Sequence, residues 1–258
     1  MAEMLLKVIQ DNFSTDLLAR LCAVSADGPY QANGFCGKLL EKLGIEDNEL
    51  ALPVIWDAAH ILNLAVLDVK DSNTDSGQHF QRFIKRCNVF NTILANGKGF
   101  AFLQLTDSSA RRPVSYACQR FASSSYEQWE KIEKSFASYW QAFDLLYPNR
   151  REDEEYQYMI AGSDFIMDLL AFLDTMKPVV DLMLRVQSLD TPVWKLKLWW
   201  PSIKALMAKA SNEYPVSLPK LNKVMGSLKA GCTYNAVTLL PGWLITNVEG
   251  CGGNKTYT

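Results

Sequence analysis

The sequence is poor in the side chains that build metal centres. Only two of its 258 residues are histidine, His60 and His79. The six cysteines, Cys22, Cys36, Cys87, Cys118, Cys232 and Cys251, are scattered and form no C-x-x-C pair. Zinc fingers and related four-ligand modules need closely spaced Cys/His pairs, so that class is excluded. No secretory leader is expected either: the short apolar patch in Met1–Gln10 is broken by Glu3 and Lys7 and has no cleavage site. Reduced thiols in an intracellular setting are therefore expected. Long apolar runs are missing. The most apolar stretch, Met159–Leu184, holds Asp164, Asp168, Asp174, Lys177 and Pro178, which rules out a membrane span there and predicts no membrane partner. Nor is there an excess of positive charge. Lys and Arg number 26 against 28 Asp and Glu, a net charge of −2, so any contact with nucleic acid has to use a local patch.

What remains is a globular composition. Hydrophobic residues make up 48% and aromatics 11%, enough for a sizeable core in one large domain or two modest ones. The opening predicts a helix with Leu5, Val8 and Ile9 on one face. An apolar strand candidate, Leu17–Val24, follows and stops at Asp27-Gly28-Pro29. Gly34–Leu43 reads as a helix closed by Gly44, in the place of a C-terminal glycine. Leu50–Trp56 is a second strand candidate and His60–Val69 an apolar helix. Strand, helix, strand, helix is a fragment of an α/β layer.

After Asp71 the pattern changes to helical period. Phe80, Phe83, Ile84, Cys87 and Phe90 recur at three- and four-residue spacing, as do Trp129, Ile132, Phe136, Trp140 and Phe143. Phe165, Leu169, Phe172, Leu173 and Met176 form a third such set, and a fourth segment, Pro192–Ala210, follows the start signal Thr191-Pro192. Arg150–Glu155 is a solvated charge block. Beyond Pro219 the sequence reads as mixed, with strand candidates at Ala236–Leu240 and Trp243–Val248 and a Gly-rich tail.

Four groups of residues can carry chemistry. Asp27 sits just past a strand candidate, where α/β sheets place metal ligands and catalytic acids, although Asp-Gly is also ordinary turn chemistry. Asp57 and His60 are three apart and share a helix face. Two ligands do not make a metal site, and local physics favours Asp57 as a cap on backbone N–H groups with His60 packed as a core histidine. Lys195, Lys197, Lys204 and Lys209 interleave with Trp194, Trp199 and Trp200. Cations beside aromatics suit phosphate contact and base stacking, and equally suit a helix that buries tryptophan and solvates lysine. Arg111 and Arg112, with Arg120 nearby, form a second basic patch.

The run Trp56-Asp57-Ala58-Ala59-His60-Ile61-Leu62-Asn63-Leu64-Ala65 resembles the C/D-x-x-H-x-L-N-L-A signature of hAT-type transposases and proteins derived from them. Ala26-Asp27-Gly28 is similar to the family's T-D-G/N segment. Gln119-Arg120-Phe121-Ala122-Ser123-Ser124 is similar to its R-W-x-S segment, with Phe in place of Trp, and Arg185–Trp194 has the character of its helical insertion. The resemblance spans about residues 27 to 200. It implies that Asp27 is the second acid, and a metal ligand, of an RNase H-like D-D-E site, and that Asp57 and His60 support that site. The other two acids have no counterpart. The 26 residues before Asp27 read as a helix and one strand, and Glu249 stands in a Gly-rich setting unlike the family's C-terminal helix. The family's BED-type finger has no counterpart either. Two-metal chemistry needs several carboxylates, so strand transfer is not expected.

The expected architecture is therefore an α/β fragment, a partial RNase H-like core over 1–110, followed by a mainly helical insertion-like domain over 111–225 and a mixed tail over 226–258, predominantly helical overall. The expected function is that of a catalytically inactive, transposase-derived protein of the nucleus more than the cytoplasm. It would bind DNA weakly, or a protein partner, through Arg111, Arg112, Arg120, Lys195, Lys197 and Lys204, without a cofactor. One rival is a protein-interaction module with no nucleic-acid role. The other is a nuclease completed by another chain, which alone would require Mg²⁺ or Mn²⁺ at Asp27.

Overall fold

The computed structural model describes residues 2–12, 24–26, 33–44, 54–113, 122–146, 161–188 and 195–240. The chain divides into two compact units, Met1–Leu64 and Ala65–Thr258. The division lies closer to the change of pattern after Asp71 than to residue 110.

The first unit contains α1 (Ala2–Asn12), β1 (Val24–Ala26), α2 (Asn33–Leu43), β2 (Val54–Trp56) and the start of α3 (Ala58–Asp71). β1 and β2 pair in parallel, with Val24 opposite Val54 and Ala26 opposite Trp56. A parallel pair needs a long crossover, and α2 lies within it. α2 ends as expected: Gly44 takes φ +67, open to glycine at no steric cost, and its N–H bonds the Glu41 carbonyl. The predicted face of α1 is corrected. Leu5 and Val8 are exposed, and Leu6 is the buried residue, packed with Leu39, Phe35 and Leu43 of α2. One helical position separates the two readings, because Leu5 and Leu6 compete for the same turn. Among the described residues of this unit two three-residue strands are all the sheet, and within the expected core Asp75–Leu94 and Gly97–Thr106 are helices.

The second unit holds α4 (Asp75–Leu94), α5 (Gly97–Thr106), α6 (Ala122–Leu146), α7 (Ser163–Gln187), α8 (Lys195–Asn212), α9 (Pro219–Gly231) and a hairpin of β3 (Thr233–Tyr234) and β4 (Val237–Thr238). The core is the seam of α4, α6 and α7, and its aromatic contacts fix the helix directions. Phe80 and Phe83 meet Trp129, while Phe90 meets Phe136 and Tyr139. α4 and α6 therefore run parallel. Phe83 stacks on Phe172 at 4.5 Å whereas Phe90 meets Phe165, so α7 runs against both. Of the nine aromatics predicted from spacing seven are buried and Trp140 and Phe172 are half-buried, with Phe83, Phe90, Trp129, Phe136 and Phe165 at 0–1% exposure. Offset and edge-on ring pairs of this kind add about 0.5–1.5 kcal/mol each beyond the area they bury.

Caps set the helix starts. The Thr74 hydroxyl accepts from the Gly77 N–H at 3.1 Å, and the Asn96 side chain accepts from the Gly99 N–H at 2.7 Å. α4 and α5 approach so closely at this turn that a Cβ on Gly99 would collide with the Ile93 carbonyl.

α9 occupies the start of the stretch read as mixed beyond Pro219. Proline occupies its first turn, and the side-chain cap comes from another helix: the Asp174 carboxylate of α7 accepts from the N–H groups of Lys220 and Leu221 at 2.8 and 3.1 Å. A carboxylate placed there also meets the positive end of the helix dipole. Lys220 then reaches Glu133 of α6 at 2.8 Å. Of the two strand candidates in the tail, Ala236–Leu240 contains β4, which pairs with β3 across the two-residue turn Asn235-Ala236. Both turn residues have positive φ, 47° and 64°, as this class of hairpin turn demands. The second candidate, Trp243–Val248, and the charge block Arg150–Glu155 lie outside the described residues. Past the hairpin, Leu240 bridges to residues 161–163: its N–H donates to the Ala161 carbonyl and its own carbonyl accepts from the Ser163 N–H.

Among the described residues no helix is long and apolar enough to cross a membrane.

Candidate nucleic-acid interface

The α4–α7 seam carries charge as well as aromatics. Arg86, 7% exposed, forks onto Asp164 at 2.8 and 3.3 Å and lies 5.0 Å from the Phe165 ring centroid. His79 bonds Asp168 at 3.1 Å and stacks on Phe172. The hydrogen bond to Asp168 holds the imidazole above its ordinary pKa, with burial opposing. Desolvation raises the Asp164 carboxyl even though Arg86 pulls the other way. Cys87, fully buried beside them, has its thiol pushed well up by burial, which removes it as a nucleophile. Every one of these groups pairs or packs within the seam, and the arrangement is structural. Among the described residues no three His, Cys, Asp or Glu side chains stand together as a metal site.

The sequence-predicted acids divide. Asp57 is the N-terminal cap of α3: its Oδ1 accepts from the Ala59 N–H at 2.9 Å, and its carbonyl accepts from the Ile61 N–H. No hydrogen bond joins it to His60, which is half-buried on the first turn. Asp27 lies outside the described residues, as do Arg120 and Trp194.

The basic residues concentrate on α8 and α9. α8 reads KLKLWWPSIKALMAKASN and α9 PKLNKVMGSLKAG, with no acid in either. Between Lys195 and Gly231 there are seven lysines and one acid, Glu213, while the other 221 residues hold 19 basic and 27 acidic side chains. α8 packs on α7 through a narrow contact. Ile203 is buried and Trp199 half-buried, its ring 5.6 Å from the Arg185 guanidinium. The rest of the helix faces outward. Leu198, Leu206 and Met207 are exposed, and so is Trp200 at 39%, with the Lys204 ammonium 5.5 Å from its ring centroid. Lys209 pairs loosely with Glu213 at 3.8 Å, and Lys220 is committed to Glu133. Among the described residues Lys197, Lys204, Lys223 and Lys229 meet no carboxylate within ion-pair distance, and Lys197, Lys204, Lys223 and Lys229 are exposed.

Arg111 and Arg112 are exposed beyond α5, with Arg112 4.9 Å from the Phe100 ring centroid. Lys223 and Lys229 extend the basic surface beyond the residues singled out by motif. A sliding count of net charge finds them, whereas a search for aromatics beside lysine stops at Lys209.

Comparison with family profiles, with curated proteins and with solved structures gave no match to this chain.

Proposed function

We propose that this chain is a transposase-derived DNA-contacting protein that lacks strand-transfer chemistry and holds phosphate through the lysines of α8 and α9. The observation that carries the reading is charge segregation: seven lysines against one acid over residues 195–231 of a chain whose net charge is −2. Four of those lysines keep their ammonium groups clear of carboxylates, which is what phosphate contact and counterion release require. The hAT-like motif around Asp57 supports the ancestry, and a parallel strand pair with a helix in its crossover is compatible with a remnant of an RNase H-like layer. Asp57 acts as a helix cap in this reading. Asp27 is the one acid of a D-D-E set that the resemblance supplies, and one acid cannot hold two metals. A DNA ligand implies a nuclear site of action.

The test is fluorescence anisotropy of a short labelled duplex across a salt series. Binding that falls steeply with salt is expected, since each phosphate neutralised contributes a slope of about −0.9 in log K against log salt. The combined variant Lys197→Ala, Lys204→Ala, Lys223→Ala should flatten that slope by roughly two to three units. No binding at low salt overturns the reading in favour of a protein-interaction module.

A further inference from the structure

The lysines alone would serve any polyanion, but the exposed side of α8 carries more than charge. Trp200 presents its ring beside Lys204, and Lys197 stands on the turn before. At helical spacing Lys197, Trp200, Lys204 and Met207 fall along one stripe, at three, four and three residues. The stripe thus alternates ammonium, aromatic face, ammonium and thioether. Pro201 stands between Trp200 and Lys204 and, having no N–H, removes the usual helical donor to the Lys197 carbonyl. A paired duplex offers a surface like this phosphates and groove edges but no base face, because its bases are stacked and their faces covered. An unpaired strand offers phosphates to the lysines and a base face to Trp200.

Resting on the DNA-binding reading above, we infer that the α8 surface prefers single-stranded DNA, with one base stacked on Trp200 and the adjoining phosphates held by Lys197 and Lys204. Cationic grooves with aromatic platforms bind single strands with little sequence preference because every base has a π-face. Met207, at the end of the stripe, gives a neighbouring base an apolar, polarizable contact.

The experiment compares the full chain binding a labelled oligothymidylate and a duplex of equal length at one low salt concentration. Three variants are measured beside the native chain: Trp200→Leu, Trp200→Phe and the lysine pair Lys197→Ala, Lys204→Ala. Far-UV circular dichroism confirms that each is folded, and the conservative Trp200→Phe keeps an aromatic face in the same place. The expected result is tighter binding of the single strand, lost roughly tenfold in Trp200→Leu and largely kept in Trp200→Phe. Duplex binding should respond to the lysine pair and not to Trp200. Equal affinity for both forms, a preference for duplex, or a Trp200→Leu variant unchanged on the single strand overturns the inference while leaving DNA binding in place. No salt-dependent binding of either form overturns both.

Discussion

Helices α7 and α8 make an instructive pair. Each is mostly apolar and each has a proline inside, Pro178 in one and Pro201 in the other. α7 buries ten residues from Phe165 to Met183, whereas on α8 Ile203 alone joins the buried set among its described side chains. Apolar content does not separate them. Their surroundings do: α7 is wedged against α4, α6 and α9, while α8 meets α7 along one edge. Charge follows the same division. Three of the four acids of α7 point into partners on other helices, Asp164 to Arg86, Asp168 to His79 and Asp174 to the start of α9. The exposed lysines of α8 point away. One helix supplies the frame, and the other supplies a surface.

The sharpest way to break this contrast is to cut both sides of it equally. Trp129→Ala should cost about 3–5 kcal/mol in urea unfolding, because the ring fills the middle of the α4–α6–α7 seam. Ile203→Ala on α8 should cost nearer 1–2 kcal/mol. Similar losses at the two sites would mean that α8 is as firmly built in as α7.

Next in size is the ion pair. Asp164→Ala removes the carboxylate onto which the buried Arg86 guanidinium forks, and a loss of about 2–3 kcal/mol is expected. Adding Arg86→Met should restore much of it, since a buried charge that has lost its carboxylate, and not the missing attraction, is the main cost. A double variant no better than the single one would place the cost elsewhere.

Asp174→Ala is smaller, about 1–2 kcal/mol, because it leaves two first-turn N–H groups of α9 without their acceptor. Asp174→Asn keeps an acceptor but loses the charge, and should fall between native and alanine. Urea midpoints for the three chains decide this.

The smallest effect is on pH dependence. His79 is raised by its bond to Asp168, so the pair's stabilisation is full below the unfolded imidazole's pKa of about 6.5 and is lost as pH rises through the higher folded value. Thermal melts of native protein should therefore lose this increment on going from about pH 5.5 to pH 8, and His79→Gln should not. An imidazole titrating at its ordinary value in NMR, with Asp168 intact, would contradict the pairing.

The sequence was most informative where burial is regular. Phe80, Phe83, Phe90, Trp129, Phe136 and Phe165 sit at helical spacing because each faces the same seam, so periodicity located α4, α6 and α7 directly. Asp57 was legible as a cap, since a carboxylate before an apolar helical run has few other local uses. α9 was not, because its cap lies 45 residues upstream on α7 and its own Gly226 and Ser227 weaken the helical signal. The α1 face was misjudged by one position where adjacent leucines offer two registers. The α8 surface was half legible. The lysine–tryptophan interleaving stands in the sequence, but periodicity finds an apolar face without saying whether a neighbour covers it.

The bridge at Leu240 has a bearing on how the protein is made. Backbone bonds from Leu240 to Ala161 and Ser163 seal the entrance to α7, closing a loop that contains α7, α8, α9 and the hairpin. On a ribosome α4 to α6 emerge well before that seal exists. The helical unit thus reaches its final form only after residue 240 is released, and the partly assembled α7 entrance is exposed during synthesis. Loop closure over that length slows assembly more than it weakens the finished fold. A nascent chain stalled before the hairpin would present that unsealed end to chaperones.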